Sequence, residues 1–127
     1  MTDETLTPPP GFQVKRVYEA PAADDGYRVL VDRLWPRGLA EAVARIDEWA
    51  KEITPSTELR RWFHEDPDGR RTEFADRYRA ELAAPEAREI LHRLRERAGG
   101  SPPVTLVTAV KEPDHSHVPV LVEQLHE

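Results

Sequence analysis

Apolar positions in this chain fall into short blocks whose spacing changes from one block to the next. The pattern Val14-Lys15-Arg16-Val17-Tyr18 predicts a short strand over 14–18. Val29, Leu30 and Val31 form an apolar, mostly β-branched run, which predicts a buried strand over 27–31. The spacing then lengthens to three and four. Ile46, Trp49 and Ile53 predict a helix over 41–53, and Leu59, Trp62 and Phe63 predict a second one capped by Thr54 or Ser56, with Pro55 tolerated in a first turn. Phe74, Tyr78 and Leu82, four apart, predict a helix over 72–83. The helix opened by Pro85 carries Ile90, Leu91 and Leu94 and ends at Gly99-Gly100-Ser101-Pro102-Pro103. Val104 to Val110 is unbroken by charge, the pattern of a strand covered on both faces in a parallel sheet. Val118, Leu121, Val122 and Leu125 predict a C-terminal helix. Residues 20–26 and Asp66-Pro67-Asp68-Gly69 read as turns.

Strands separated by helices imply an α/β fold: a small, mainly parallel sheet flanked by helices in one sandwich domain over 12–127. Residues 1–11, ending in Pro8-Pro9-Pro10-Gly11, read as a flexible tail. The long helical connection between the second and third strands predicts that they pair in parallel. The seven residues 20–26 are short for a parallel crossover, so hairpin pairing of the first strand with the second stays open. In such sheets ligands bind beyond the carboxyl ends of the strands. Here those ends are Tyr18-Glu19, Asp32 to Arg37, and Lys111 to His117, and each is charged.

Composition narrows the chemistry. The chain has 127 residues, 33% of them charged, and a net charge of -6. That balance disfavours a general nucleic-acid or polybasic membrane binder. Within it Arg28, Arg33 and Arg37 form a local basic cluster suited to a small anion. There is no cysteine, which excludes disulfides, thiolate metal sites and a Cys nucleophile. No apolar run approaches the about 20 residues of a membrane span, and the acidic start lacks the pattern of a secretory signal. The expected location is the cytoplasm.

Charged groups packed at the end of a buried strand are costly unless paired, hydrated or used on a ligand. Asp32 and Arg33 suit either a structural ion pair or a ligand contact. Pro36 should turn the chain out of the sheet, making Arg37 the better anion clamp. Trp35 suits a core or lid aromatic, and Arg16 and Tyr18 end the first strand as ligand-binding candidates. Lys111, just past the buried third strand, suits charge stabilisation. His117, at the start of the last helix, suits proton transfer, with capping as the bland alternative. Thr108 and Ser116 are weaker nucleophile candidates. Asp114-His115-Ser116-His117 offers two His two apart, but the spacing supports no metal assignment. No cofactor is indicated. Ser56 with Glu58 reads as ordinary helix capping.

Val14 to Tyr18, Gly26 to Gly38 and Pro55-Ser56-Thr57-Glu58-Leu59-Arg60 resemble a bacterial family known as domain of unknown function 488, in its short YeaO-like branch. Trp62-Phe63-His64, Phe74, Tyr78, Glu81-Leu82, Thr105-Leu106, Lys111 and His117 extend the resemblance over 13–126. It implies no agreed activity. Some members carry a label of transcriptional regulator, but no helix-turn-helix with a basic recognition face is visible here. Members typically have an aromatic residue where this chain has Thr108, and often Asn where it has Ser116. The resulting expectation is a strand-end pocket for a compact anionic ligand. Arg33 and Arg37 would hold the anion, Asp32 would orient an Arg or accept a ligand hydroxyl, and Lys111 and His117 would face them. The alternatives are a non-enzymatic interaction protein whose charged strand ends are structural, and, disfavoured by charge, nucleic-acid binding.

Overall fold

A computed structural model describes residues 7–100 and 103–126. Residues 1–6 of the expected tail lie outside the described residues. Four strands form one sheet in the order β1-β4-β2-β3, with β1 at Phe12–Arg16, β2 at Tyr27–Leu30, β3 at Glu48–Trp49 and β4 at Val104–Thr108. Every pairing is parallel, with Phe12 and Tyr27 both opposite Val104. β4 is therefore central and all five of its residues are buried, as its unbroken apolar run requires. The second and third predicted strands are parallel neighbours. The first is no hairpin partner of the second, because β4 lies between them. Residues 17–26 carry the chain back over β4, through a 3-10 turn at Ala23–Asp25.

The four long helices are α2 (Thr57–Glu65), α3 (Arg71–Leu82), α4 (Pro85–Ala98) and α5 (Val118–Leu125). Their apolar stripes pack with Phe12, Val29, Val31, Val104 and Leu106 in one core. Alternate strand residues point away from that core by the two-residue period of a strand. On that second face Leu30, Val107 and Val17 are buried. The 3-10 turn is tied to β4 where Thr105 Oγ1 donates to the Asp25 carbonyl, and the short α1 (Glu41–Ala44) follows β2 in the chain. Arg28 is buried there too. Its guanidinium donates to Asp25 at 2.6 Å and to the Ala44 carbonyl at 2.9 Å. Lys15 joins Asp25 at 3.1 Å, and these cations with the Ala22 backbone bond outweigh burial and lower the Asp25 pKa. Arg28 is thus absent from the expected basic cluster.

One predicted element is replaced. The helix expected over 41–53 lasts a single turn, because Arg45 takes a left-handed conformation and ends it. Asp47 then exchanges hydrogen bonds with Arg28: its N–H donates to the Arg28 carbonyl, and its carboxylate accepts from the Arg28 N–H. This seats Glu48 and Trp49 as an edge strand on β2. Glu48 is fixed there by Tyr27, whose hydroxyl donates at 2.7 Å, and by both guanidinium ends of Arg93 from α4. Ile46, Trp49 and Ile53 have helical spacing but do not form a stripe. Strand pairing and ion pairs across the fold outweigh a weak local preference. The predicted helices at 72–83, at Pro85 and at the C-terminus match α3, α4 and α5 within a residue or two.

Candidate functional site

Because the sheet is all parallel, the ends Asp32, Ala50, Ala109 and Tyr18 emerge on one edge of it. A cavity of about 650 Å³ opens there, walled by 32–37 after β2, 109–112 after β4, the start of α5, and α2. Asp32, Arg33, Trp35, Arg37, Lys111 and His117 all line it. Arg16 and Tyr18 do not. Arg16 Nε donates to the Val110 carbonyl at 3.0 Å, and Tyr18, half exposed, donates its hydroxyl to the Arg37 carbonyl at 3.2 Å.

The residues nearest the sheet are held by internal hydrogen bonds. Asp32 Oδ1 accepts from Thr108 Oγ1 at 2.7 Å, and Oδ2 accepts from the Ala109 N–H at 2.7 Å. The carboxylate therefore ties the end of β2 to the end of β4. It does not pair with Arg33, whose guanidinium donates to the Thr54 and Pro55 carbonyls. Trp49 donates its indole N–H to the Asp32 carbonyl at 2.7 Å, and Trp35 donates to the Leu39 carbonyl at 2.6 Å. The two rings meet edge to face at 5.4 Å. Thr108 supplies the hydroxyl that holds Asp32.

His117 precedes α5, and its Nε2 lies 2.6 Å from the Val31 carbonyl and 3.8 Å from Asp32 Oδ1. A carbonyl only accepts, so Nε2 carries the proton. Burial lowers the His117 pKa. Asp32 and the Val31 bond oppose that shift, while the nearby charges of Arg60 and His64 add to it. Its neighbour Ser116 donates to the Pro113 carbonyl and accepts from the Val118 N–H. Among the described residues no three His, Cys, Asp or Glu side chains converge as metal ligands.

Arg60 and His64 also line the cavity, and the sequence reading assigned them no role. Their spacing of four places both on one face of α2, and that was the available signal. Ser56 starts this helix, with its Oγ accepting from the Leu59 N–H at 3.2 Å. The carboxylate that completes the cap comes from Glu81 of α3, bound by the Ser56 N–H at 2.8 Å and Oγ at 2.7 Å, in place of the expected Glu58. Arg37 and Lys111 are exposed at the mouth. Among the described residues neither they nor Arg60 form an ion pair with a carboxylate.

A family model described as "Inactive DUF488-N3 subclade" matches residues 11–127. The chain belongs to the DUF488 family, in its YeaO-like branch. It is 46% identical to the uncharacterized protein YeaO of Escherichia coli K12, covering 90% of this chain and 96% of that one. It is also 46% identical to an uncharacterized protein of Mycobacterium tuberculosis H37Rv, over 90% of this chain and 92% of the relative. No solved structure matches the chain. No helix among the described residues of this DUF488 protein is long and apolar enough to cross a membrane. The motif around Ser56 owes at least part of its form to the fold, since Ser56 and Glu81 lock α2 to α3.

Proposed function

We propose that this protein binds a small anionic ligand in the strand-end cavity and holds it without turning it over. The carrying observation is the local charge. Arg33, Arg37, Arg60 and Lys111 stand against two carboxylates, Asp32 and Glu112, in the lining of a cavity on a protein of net charge -6. Such a focus of positive potential in an acidic molecule draws anions. Arg37, Lys111 and Arg60 would contact the ligand, with Arg33 and Asp32 holding the frame. That division differs from the one the sequence suggested, where Arg33 shared the anion with Arg37.

Two observations favour binding over chemistry. The proton on His117 Nε2 is committed to the Val31 carbonyl, and both Asp32 oxygens are engaged by β4. A general acid or base needs its atom within reach of the reacting group. The family description, an inactive subclade, agrees with this. A cytoplasmic setting fits a chain with no cysteine.

The test is a thermal-shift screen of the full chain against phosphorylated metabolites, nucleotides and carboxylates, then calorimetric titration of the hits. A native-state ligand at 100 times its Kd stabilises by about 2.7 kcal/mol. Arg37→Ala and Lys111→Ala should each weaken binding about tenfold or more while leaving the unliganded melting temperature unchanged. If no compound shifts the melt, the reading fails in favour of an interaction protein with structural strand-end charges.

A further inference from the structure

We infer that the ligand is an amphipathic anion, with an apolar body of about ring size seated at depth and its charged group at the mouth. This rests on the anion-binding reading above and narrows its chemical class. Most of the polar side chains near the sheet are already engaged by the protein itself. Asp32 is held by Thr108 and Ala109, Arg33 by two carbonyls, the Trp35 indole by Leu39, and Ser116 by its own turn. What remains unused there is acceptor capacity on Asp32 and on the Nδ1 of a neutral His117, together with the N–H groups that Arg33 does not give to Pro55 and Thr54. The Asp32 carboxylate repels an anionic group, so the ligand's charge is better placed toward the more numerous cations at 37, 60 and 111.

The lining also carries Leu34, Pro36, Pro55, Phe63, Phe74 and Val110, which give it a large apolar share beside His64, Glu112 and His115. A ligand hydroxyl pressed against these would lose water and gain no partner, which costs free energy for each such group. Sugar phosphates and polyhydroxylated acids are therefore poor fits. Of the lining cations without carboxylate partners, those at 37 and 111 are exposed and those at 33 and 60 half-buried. Arg33 already donates to two carbonyls, so a carboxylate head meets 37, 60 and 111 most readily. A volume of about 650 Å³ accommodates a ring with a short acidic arm.

The full chain is titrated by calorimetry with inorganic phosphate, ribose 5-phosphate, acetate, 3-phenylpropionate and 3-phenylpropionamide. Binding is located by shifts of the Ala109 methyl and Trp35 indole signals in NMR spectra. The expected result is that 3-phenylpropionate binds about tenfold or more tightly than acetate, from burial of its ring. Its amide should bind about tenfold more weakly than the acid, and that preference should shrink in Lys111→Ala. Ribose 5-phosphate should bind no better than phosphate. If either phosphate binds as well as 3-phenylpropionate, the amphipath is wrong and the anion site stands. If 3-phenylpropionate instead perturbs only Val120 and Val122, in the groove between α3 and α5, the assignment to this cavity is overturned. Binding by none of the probes removes both this inference and the reading beneath it.

Discussion

Replacing Asp32 by Ala should destabilise the fold, although the residue sits at the rim of a cavity and half of its surroundings read as a site. The side chain is only 13% exposed. Removing it deletes two short hydrogen bonds to a charged acceptor, each of 2.7 Å, and leaves the half-buried Ala109 N–H without its partner. Hydrogen bonds to charged groups contribute about 1.5–3 kcal/mol each. Water entering from the cavity recovers part of this at Ala109, and the Thr108 hydroxyl keeps its bond from the Val110 N–H. The net cost should be about 2–4 kcal/mol. Asp32→Asn, which retains one acceptor for Ala109, should lose about half as much. Urea denaturation followed by far-UV circular dichroism measures both, with an unchanged slope confirming that the native state is intact. Arg37→Ala, at an exposed position, serves as the control and should stay within about 0.5 kcal/mol. An Asp32→Ala cost as small as the Arg37→Ala cost would refute the claim that this carboxylate joins β2 to β4.

Other measurements test the rest of the framework. The folded-state pKa of His117 lies below its ordinary 6.5, so the unfolded chain binds more protons in the interval between them. His117 therefore contributes stability that is present above about pH 6.5 and is lost as pH falls toward its folded pKa. Urea midpoints between about pH 7 and pH 5 should fall in the parent and much less in His117→Gln; parallel slopes would contradict the burial of a neutral ring. Arg28→Met removes one of the two cations on the buried Asp25 and three hydrogen bonds to the Ala44 and Arg45 carbonyls, and should cost about 3–5 kcal/mol in the same assay. Gly11 has φ +87°, and a Cβ there would collide with the Ala98 carbonyl. Gly11→Ala should lower stability by about 1–3 kcal/mol, detected as a depressed melting temperature, and a neutral result would show that this contact yields easily.

Much of this architecture is legible from residue spacing. A run such as Val104 to Thr108 can bury every side chain only in the middle of a parallel sheet. The four-residue repeats at Phe74, Tyr78 and Leu82 can bury one face only as a helix. The parallel pairing of β2 with β4 follows from the long helical connection, and it puts the charges of 32–37 and 109–117 at one edge. That much places the cavity at the strand ends.

What the sequence could not decide is which charge meets which. Asp32 and Arg33 are neighbours along the chain, yet they emerge in different directions, and each finds a partner more than 20 positions away in sequence. Arg28 lies in the same run and is buried on the opposite face of the sheet, because residues alternate along a strand and the turn at 23–25 places Asp25 beside it. Helical spacing at Ile46, Trp49 and Ile53 was overruled in the same way. A two-residue strand has no signature of its own, and β3 exists because Asp47 and Glu48 bind Arg28, Tyr27 and Arg93. Local pattern determined the elements, since burying an apolar face is a property of a segment. Partner choice among charged groups is a property of the folded whole, and only the tertiary structure left Arg37, Arg60 and Lys111 available at the cavity.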